Sequence, residues 1–369
     1  MNILLAISFL TSLAVAAEAD VTPEVRAIWV TRWSYKTAAD IDAILDDCQE
    51  SNANTVLWQI RGRFDAFYDS PYEPWAQELT GTLGQHPGFD PLAHAIDGAK
   101  ARDLELHAWM NAYPIWSGHV PPAGDHPLVA HPDWLVHQDK KPMKANDHYV
   151  FAAPGHPEVK AHLIKVVTDV ARRYDVDGIH LDYIRYPGLE YSDPDGATTP
   201  DTRRKRIGET VAEIQQKIDQ PLTAAVWGIY ENSFGWQPGV SQGNHSYHQD
   251  ARSWLASGAL DAAVPMIYWP VAETRGARLD FATLAADHAA NSSDRHVWAG
   301  MNADTMTWPQ LVDCIKAARE AKSEGVAIFE YRALRDKGWI SKLAQGPFAQ
   351  KAEPPTMEWL NPPPDTPEQ

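Results

Sequence analysis

Apolar residues along this chain alternate between two patterns. Short, continuously apolar runs occur at Arg26–Thr31, Thr55–Arg61, Leu104–Asn111, Val176–Tyr183, Leu222–Ile229, Leu260–Tyr268, Arg295–Asn302 and Gly325–Tyr331. Such runs are expected of parallel strands buried on both faces. Between them lie stretches with apolar residues at helical spacing, Thr37–Ser51, Pro91–Arg102, Pro157–Tyr174, Thr202–Gln220, Tyr247–Ser257, Asp280–Ala290 and Trp308–Ser323, with a short last one near Gly338–Ala344. Eight strands separated by helices predict an α/β chain closed into a (β/α)8 TIM barrel.

The connections give this barrel a direction. Long segments follow the C-terminal ends of strands, at residues 62–90, 112–156, 184–201 and 230–246, whereas helix-to-strand connections are short. Barrels build their sites from the loops on that face, so any chemistry is expected there. A length of 369 residues suits one barrel, since roughly 250 residues or more is routine for the fold.

The two ends fall outside this pattern. Ile3 to Val15 is apolar and is followed by the small residues Ala16, Ala17 and Ala19, although no Lys or Arg precedes it. Residues 1–19 therefore read as an export signal, with a periplasmic or extracellular destination, and are too short for a comfortable membrane span. No later run is long enough to suggest a span of the mature chain. The barrel is expected over residues 24–346, and the Pro-rich tail at 353–369 is expected to be extended and disordered.

Composition narrows the function. A net charge of −17 disfavours a phosphate backbone as partner, so nucleic acid is not expected. The two cysteines, Cys48 and Cys314, sit in helix-like segments and read as packing thiols. There is no P-loop, no Gly-x-Gly-x-x-Gly and no Gly-x-Ser-x-Gly. His119, His126, His131 and His137 share one loop but lack tight metal spacing, so no metal site is expected. The 15 Trp and 13 Tyr offer flat faces of the kind that suit sugar rings.

The sharpest segment runs from Tyr174 to Pro187 and places Asp182 at the C-terminal end of the fourth strand. A carboxylate there points into the barrel mouth, and Arg185 nearby is expected to keep it ionised. Glycoside cleavage normally uses two carboxyl groups. Glu231, just past the fifth strand, and Glu330, at the end of the eighth, are the candidates for the second, in that order. Their aromatic surroundings could raise either toward a general acid. Arg61, Arg185 and Tyr186, with strand-end aromatics Trp58, Trp109, Tyr113, Trp227, Tyr268 and Trp269, are candidate substrate contacts. No cofactor is required, because proton transfer and nucleophilic attack suffice.

Several of these segments together carry a family resemblance. Val25 to Thr31, Asp65 to Trp75, His107 to Asn111, His131 to Trp134 and, most specifically, Tyr174 to Pro187 resemble the glycosyl-hydrolase-like family 10 of bacterial glycosidase-type TIM barrels, over about Glu24 to Gln345. The resemblance implies hydrolysis of a glycan, with some relatives associated with bacterial cell-wall glycan. The layout is also similar to α-amylase-type barrels, in which an Asp nucleophile ends strand four, matching Asp182. Here His180 stands where those barrels have Arg, Glu231 lies slightly late for their acid, and Asp304 is the nearest counterpart of their strand-seven Asp, so the full amylase mechanism does not transfer. The expectation is thus a secreted glycoside hydrolase acting on a polysaccharide, a cell-wall glycan or an α-glucan. The alternatives are a noncatalytic glycan-binding barrel and a metal-dependent polysaccharide deacetylase.

Overall fold

A computed structural model describes residues 23–145, 148–196, 199–236, 239–273 and 279–360. The expected export signal lies outside the described residues. Eight parallel strands close into a barrel: β1 (Val25–Val30), β2 (Thr55–Arg61), β3 (Glu105–Asn111), β4 (Gly178–Asp182), β5 (Leu222–Trp227), β6 (Ala262–Met266), β7 (His296–Asn302) and β8 (Gly325–Phe329). Each pairs with its sequence neighbours, and β1 closes the ring against β8 through Val25–Gly325 to Ile28–Ile328. The TIM barrel read from the pattern is the fold, with strand ends within two residues of expectation in most cases.

The principal helices between the strands are α1 (Ala38–Glu50), α2 (Pro91–Lys100), α3 (Pro157–Arg173), α4 (Pro200–Gln215), α5 (Ala251–Ala256), α6 (Phe281–Ala290) and α7 (Trp308–Glu320). After β8 come two short helices, α8 (Tyr331–Asp336) and α9 (Ile340–Gln345), where one was expected. Local sequence sets the starts. α2, α3 and α4 begin on a proline, whose missing N–H and fixed φ suit the first helical position. Thr37 and Asp40 form a reciprocal capping box on α1, and Asp280 caps α6.

Two apolar layers result from strand alternation. Val25, Ala27, Trp29, Leu57, Trp109, Val264 and Trp298 point into the lumen. Ile28, Val30, Val56, Trp58 and Ile60 point outward to the helices. Cys48 and Cys314 are free thiols buried in the outer layer. The loop after β3 is ordered by strand pairs that the sequence pattern did not suggest. Pro114–Ser117 pairs with Tyr149–Phe151, and His137–Gln138 pairs with both Lys141–Pro142 and Tyr191–Ser192.

The tail departs from expectation over 353–360. The Glu24 amide donates to the Glu353 carbonyl (2.9 Å), Met357 packs on the lumen cluster, and Trp359 Nε1 donates to Asp261 Oδ1 (2.7 Å). The segment is extended, as its prolines demand, but it is packed beneath the barrel because the lumen floor leaves apolar surface for it to cover. Residues 361–369 lie outside the described residues.

Candidate active site

Strand alternation also decides which side chains meet in the barrel mouth. β1, β3 and β4 deliver Trp29, Trp109 and Asp182 to one cavity of about 150 Å³, together with Thr31, Gln59, Asn111 and Tyr268. Asp182 is 7% exposed. One of its oxygens accepts the Tyr183 amide at 2.5 Å. Tyr183 reaches this position at φ +51°, a left-handed conformation that non-glycine residues seldom adopt and that concentrates at functional sites. Asn111 Oδ1 accepts from Trp109 Nε1 (3.1 Å) and from Gln59 Nε2 (3.3 Å), which fixes the floor around Asp182.

Burial pushes the Asp182 carboxyl up to about 6, outweighing the Tyr183 amide, the Arg185 charge and the Trp109 indole, all of which favour the ionised form. This corrects the expectation that Arg185 keeps Asp182 firmly ionised. The Arg185 guanidinium is instead turned onto aromatic rings, at 4.5 Å from Tyr247 and 4.9 Å from Tyr183. Tyr268 faces Asp182 across the cavity, and burial followed by the Asp182 charge drives its hydroxyl well above its ordinary value. One step below Asp182 on β4, His180 is fully buried. Its Nε2 accepts from Trp29 Nε1 (3.1 Å) and its Nδ1 faces Thr223 Oγ1 (2.8 Å). Burial holds this imidazole neutral by pulling its pKa well down.

A larger groove of about 580 Å³ opens outward from this cavity. Arg32, Trp33, Tyr149 and Tyr183 border both spaces. Arg185, Trp227, Tyr191 and Tyr247 complete much of the outer wall. Trp33 is 51% exposed and lies over the Arg32 guanidinium at 4.0 Å.

The structure thus brings Asp182, Trp109, Tyr268, Arg185 and Trp227 together. Other expected contacts lie elsewhere. Glu231 is exposed and borders neither space, because the chain has already left the barrel mouth when it reaches that residue. Glu330 is half-buried and, like Glu231, borders neither space itself, but it is bonded to Thr31, which lines the inner one. It accepts from Thr31 Oγ1 at 3.1 Å, and burial raises its pKa, against the effects of Thr31 and Arg332. Trp58 faces the helices and stacks near Tyr35 at 4.9 Å, not in the lumen. Arg61 is fully buried in an ion pair with Glu73 (2.6 Å) that also takes in His162, so it is a structural cation, not a substrate contact. Tyr113 is buried in the outer core, and the Tyr186 hydroxyl donates to Asp193 (2.6 Å) away from the cavity. Trp269 packs against the outer core, where its carbonyl faces the Cys314 thiol.

Thr31, Arg32, Gln59, Asn111, Tyr149 and Tyr247 were absent from the sequence-based set. Gln59 and Asn111 had a readable signal: they are polar residues at lumen parity inside otherwise apolar strands. Tyr149 had none, because its place depends on the hairpin folded back from the β3 loop. In that loop His126 caps a short helix and its Nε2 faces the Arg63 carbonyl (2.8 Å), while His131 stacks on Trp134. Among the described residues, no three His, Cys, Asp or Glu side chains gather as a metal-ligand set. No helix among them is long and apolar enough to cross a membrane.

Residues 24–314 match the family described as Glycosyl hydrolase-like 10. Glycosyl hydrolase YngK of Bacillus subtilis is 31% identical over 306 residues, covering 72% of this chain and 58% of the relative. Glycosyl hydrolase DigH of Escherichia coli is 29% identical over 271 residues, covering 64% and 59%. The chain therefore spans under two thirds of the length of the curated relatives it matches. Among solved structures, the PgaB (BpsB) glycoside hydrolase domain from Bordetella bronchiseptica superposes with a TM-score of 0.61 at 12% identity, covering 90% of this chain and 100% of that one. Alpha-L-fucosidase isoenzyme 2 from Paenibacillus thiaminolyticus does so at 0.57 and 14%, covering 87% and 48%. At such identities the likeness is one of fold.

Proposed function

Since the chain belongs to the glycosyl hydrolase-like 10 family, we propose that it is an exported glycoside hydrolase that binds a polysaccharide along the outer groove and cleaves it over Asp182. The observation that carries this reading is a buried carboxyl at the end of β4, pushed up to about 6, on the floor of an aromatic-walled cavity. A carboxyl so placed holds a proton under mildly acidic conditions and can give it to the leaving glycosidic oxygen as the C–O bond breaks. Trp109 and Tyr268 present ring faces to the sugar, and Asn111 and Gln59 can hold its hydroxyl groups.

The second carboxyl in this reading is Glu330, tied to Thr31 of the cavity wall. It either takes the proton of the attacking water or attacks the anomeric carbon itself, and the anomeric configuration of the product distinguishes the two. The exposed position of Glu231 argues against it in that role. The glycan is a bacterial cell-wall polymer or an α-glucan in this reading, and no cofactor takes part.

The test is reducing-sugar release from α-glucans, β-glucans, chitin and peptide-stripped peptidoglycan by wild type, D182N, E330Q and E231Q. One polymer is expected to be cleaved, with a loss of about 100- to 10,000-fold in D182N and in E330Q and little change in E231Q. A second reading, a noncatalytic glycan-binding barrel, has one observation in its favour: among the described residues Asp182 is the only carboxylate bordering the inner cavity. Binding without release by wild type and D182N alike would establish that reading instead.

A further inference from the structure

This chain carries 49 acidic against 32 basic side chains, so a cation near the barrel mouth has no shortage of potential partners. Its neighbours are paired accordingly: Arg61 with Glu73, and Arg63 with Asp65 and Glu78. Arg185 is different. It borders the outer groove, and among the described residues its closest polar contact is the Tyr186 carbonyl at 3.3 Å, while its Nε is buried without a hydrogen-bond partner. Its guanidinium is held by rings, at 4.5 Å from Tyr247, 4.9 Å from Tyr183, 5.6 Å from Trp227 and 6.0 Å from Phe151.

Rings of this kind fix a guanidinium without neutralising it. A second guanidinium, Arg32, borders the same groove. Its Nη2 donates to the Tyr149 hydroxyl (3.1 Å), its Nε reaches Glu78 only at 3.5 Å, and its Nη1 is buried without a partner. Among the described residues bordering the groove, the acidic side chain is Glu190, which is exposed. A partly desolvated cation with unmet donors is unfavourable unless a bound anion completes it.

We propose that the outer groove is a subsite for a carboxylate-bearing sugar, a hexuronate residue of the polysaccharide, and that Arg185 reads the carboxylate. The planar fork of Arg185 matches a carboxylate geometrically, and Trp227 and Tyr247, which line the same groove, hold the guanidinium in place for it. The inference rests on the glycan reading above and, of its two polymers, fits a bacterial cell-wall polymer, because an α-glucan carries no carboxylate.

The experiment is ligand-detected NMR titration of the full chain with methyl α-D-glucuronide, methyl α-D-glucoside and glucose 6-sulfate. The glucuronide is expected to bind at least about tenfold more tightly than the other two, and R185Q to erase that preference. Equal binding of glucuronide and glucoside overturns the inference without recourse to any variant. Equal binding of the sulfate, binding of none of the three, or an undiminished preference in folded R185Q also overturns it. Because the readout is equilibrium binding, the result is independent of hydrolysis by wild type or D182N, and the two proposals fail separately.

Discussion

At the scale of single residues, Asp182 is held where its charge is least welcome. Burial raises its pKa from 3.8 to about 6, so the folded chain binds this proton more tightly than the unfolded chain does. No penalty exists at pH values below the unfolded pKa, where both states are protonated; it builds as pH rises from about 3.8 to about 6 and is constant above that, where both states are ionised. Replacing Asp182 by Asn removes the charge while keeping the shape. Chemical denaturation is expected to show D182N more stable than wild type at pH 8, by at most about 3 kcal/mol, with the gain vanishing near pH 4. Asp182 acting as proton donor also predicts that turnover falls as pH rises through about 6. A neutral His180 beneath it, bonded to Trp29 and facing Thr223, adds no opposing charge.

Among the elements, a strand's period of two sorts lumen from exterior and explains most of the misplaced contacts. Leu57 faces the lumen and Trp58 the helices, although both lie mid-strand in β2. Arg61 would follow the lumen parity of Gln59, but the β2–β3 register shifts between them. That irregularity turns Arg61 into the buried pair with Glu73, where it also donates to the Ala112 carbonyl (3.0 Å) and lies against Phe64. Despite burial, the Arg61 charge and the hydrogen bonds of Arg61 and His162 hold the Glu73 carboxyl down to about 2. Its stabilising effect is therefore present above the ordinary carboxylate range and is lost as pH falls toward 2. Removing the cation strands a buried carboxylate, so urea denaturation of R61A at pH 7 is expected to show a loss of about 3–5 kcal/mol.

In the molecule as a whole, the two ends of the barrel have different work. Long loops and the hairpin carrying Tyr149 build the groove on the C-terminal face. On the opposite face, residues 353–360 cross beneath the floor. There Met357 meets the lumen cluster, and Trp359 packs near Arg295 (4.4 Å) and His296 (5.0 Å). Conservation of fold at one end and chemistry at the other is the usual division in this architecture. Truncation after Ala352 exposes that floor and deletes the Trp359–Asp261 hydrogen bond. Thermal and urea melts of the truncated chain are expected to show a loss of about 2–4 kcal/mol, with the groove and Asp182 unchanged in position.

Much of this architecture is determined locally. Continuous apolar runs, prolines at helix starts and the Thr37 and Asp280 caps specify eight strands and their helices one after another, because each depends on residues close in the chain. Asp182 was equally legible, since the end of a barrel strand points to the mouth whatever surrounds it. Its charge was not. Whether Arg185 or desolvation governs that carboxyl depends on where Tyr247, Trp227 and Phe151 place the guanidinium, and those residues converge only in three dimensions. For the same reason Glu231 and Glu330 looked alike in sequence, each beside aromatic residues near a strand end. Tertiary structure separated them by exposing one to solvent and bonding the other to Thr31.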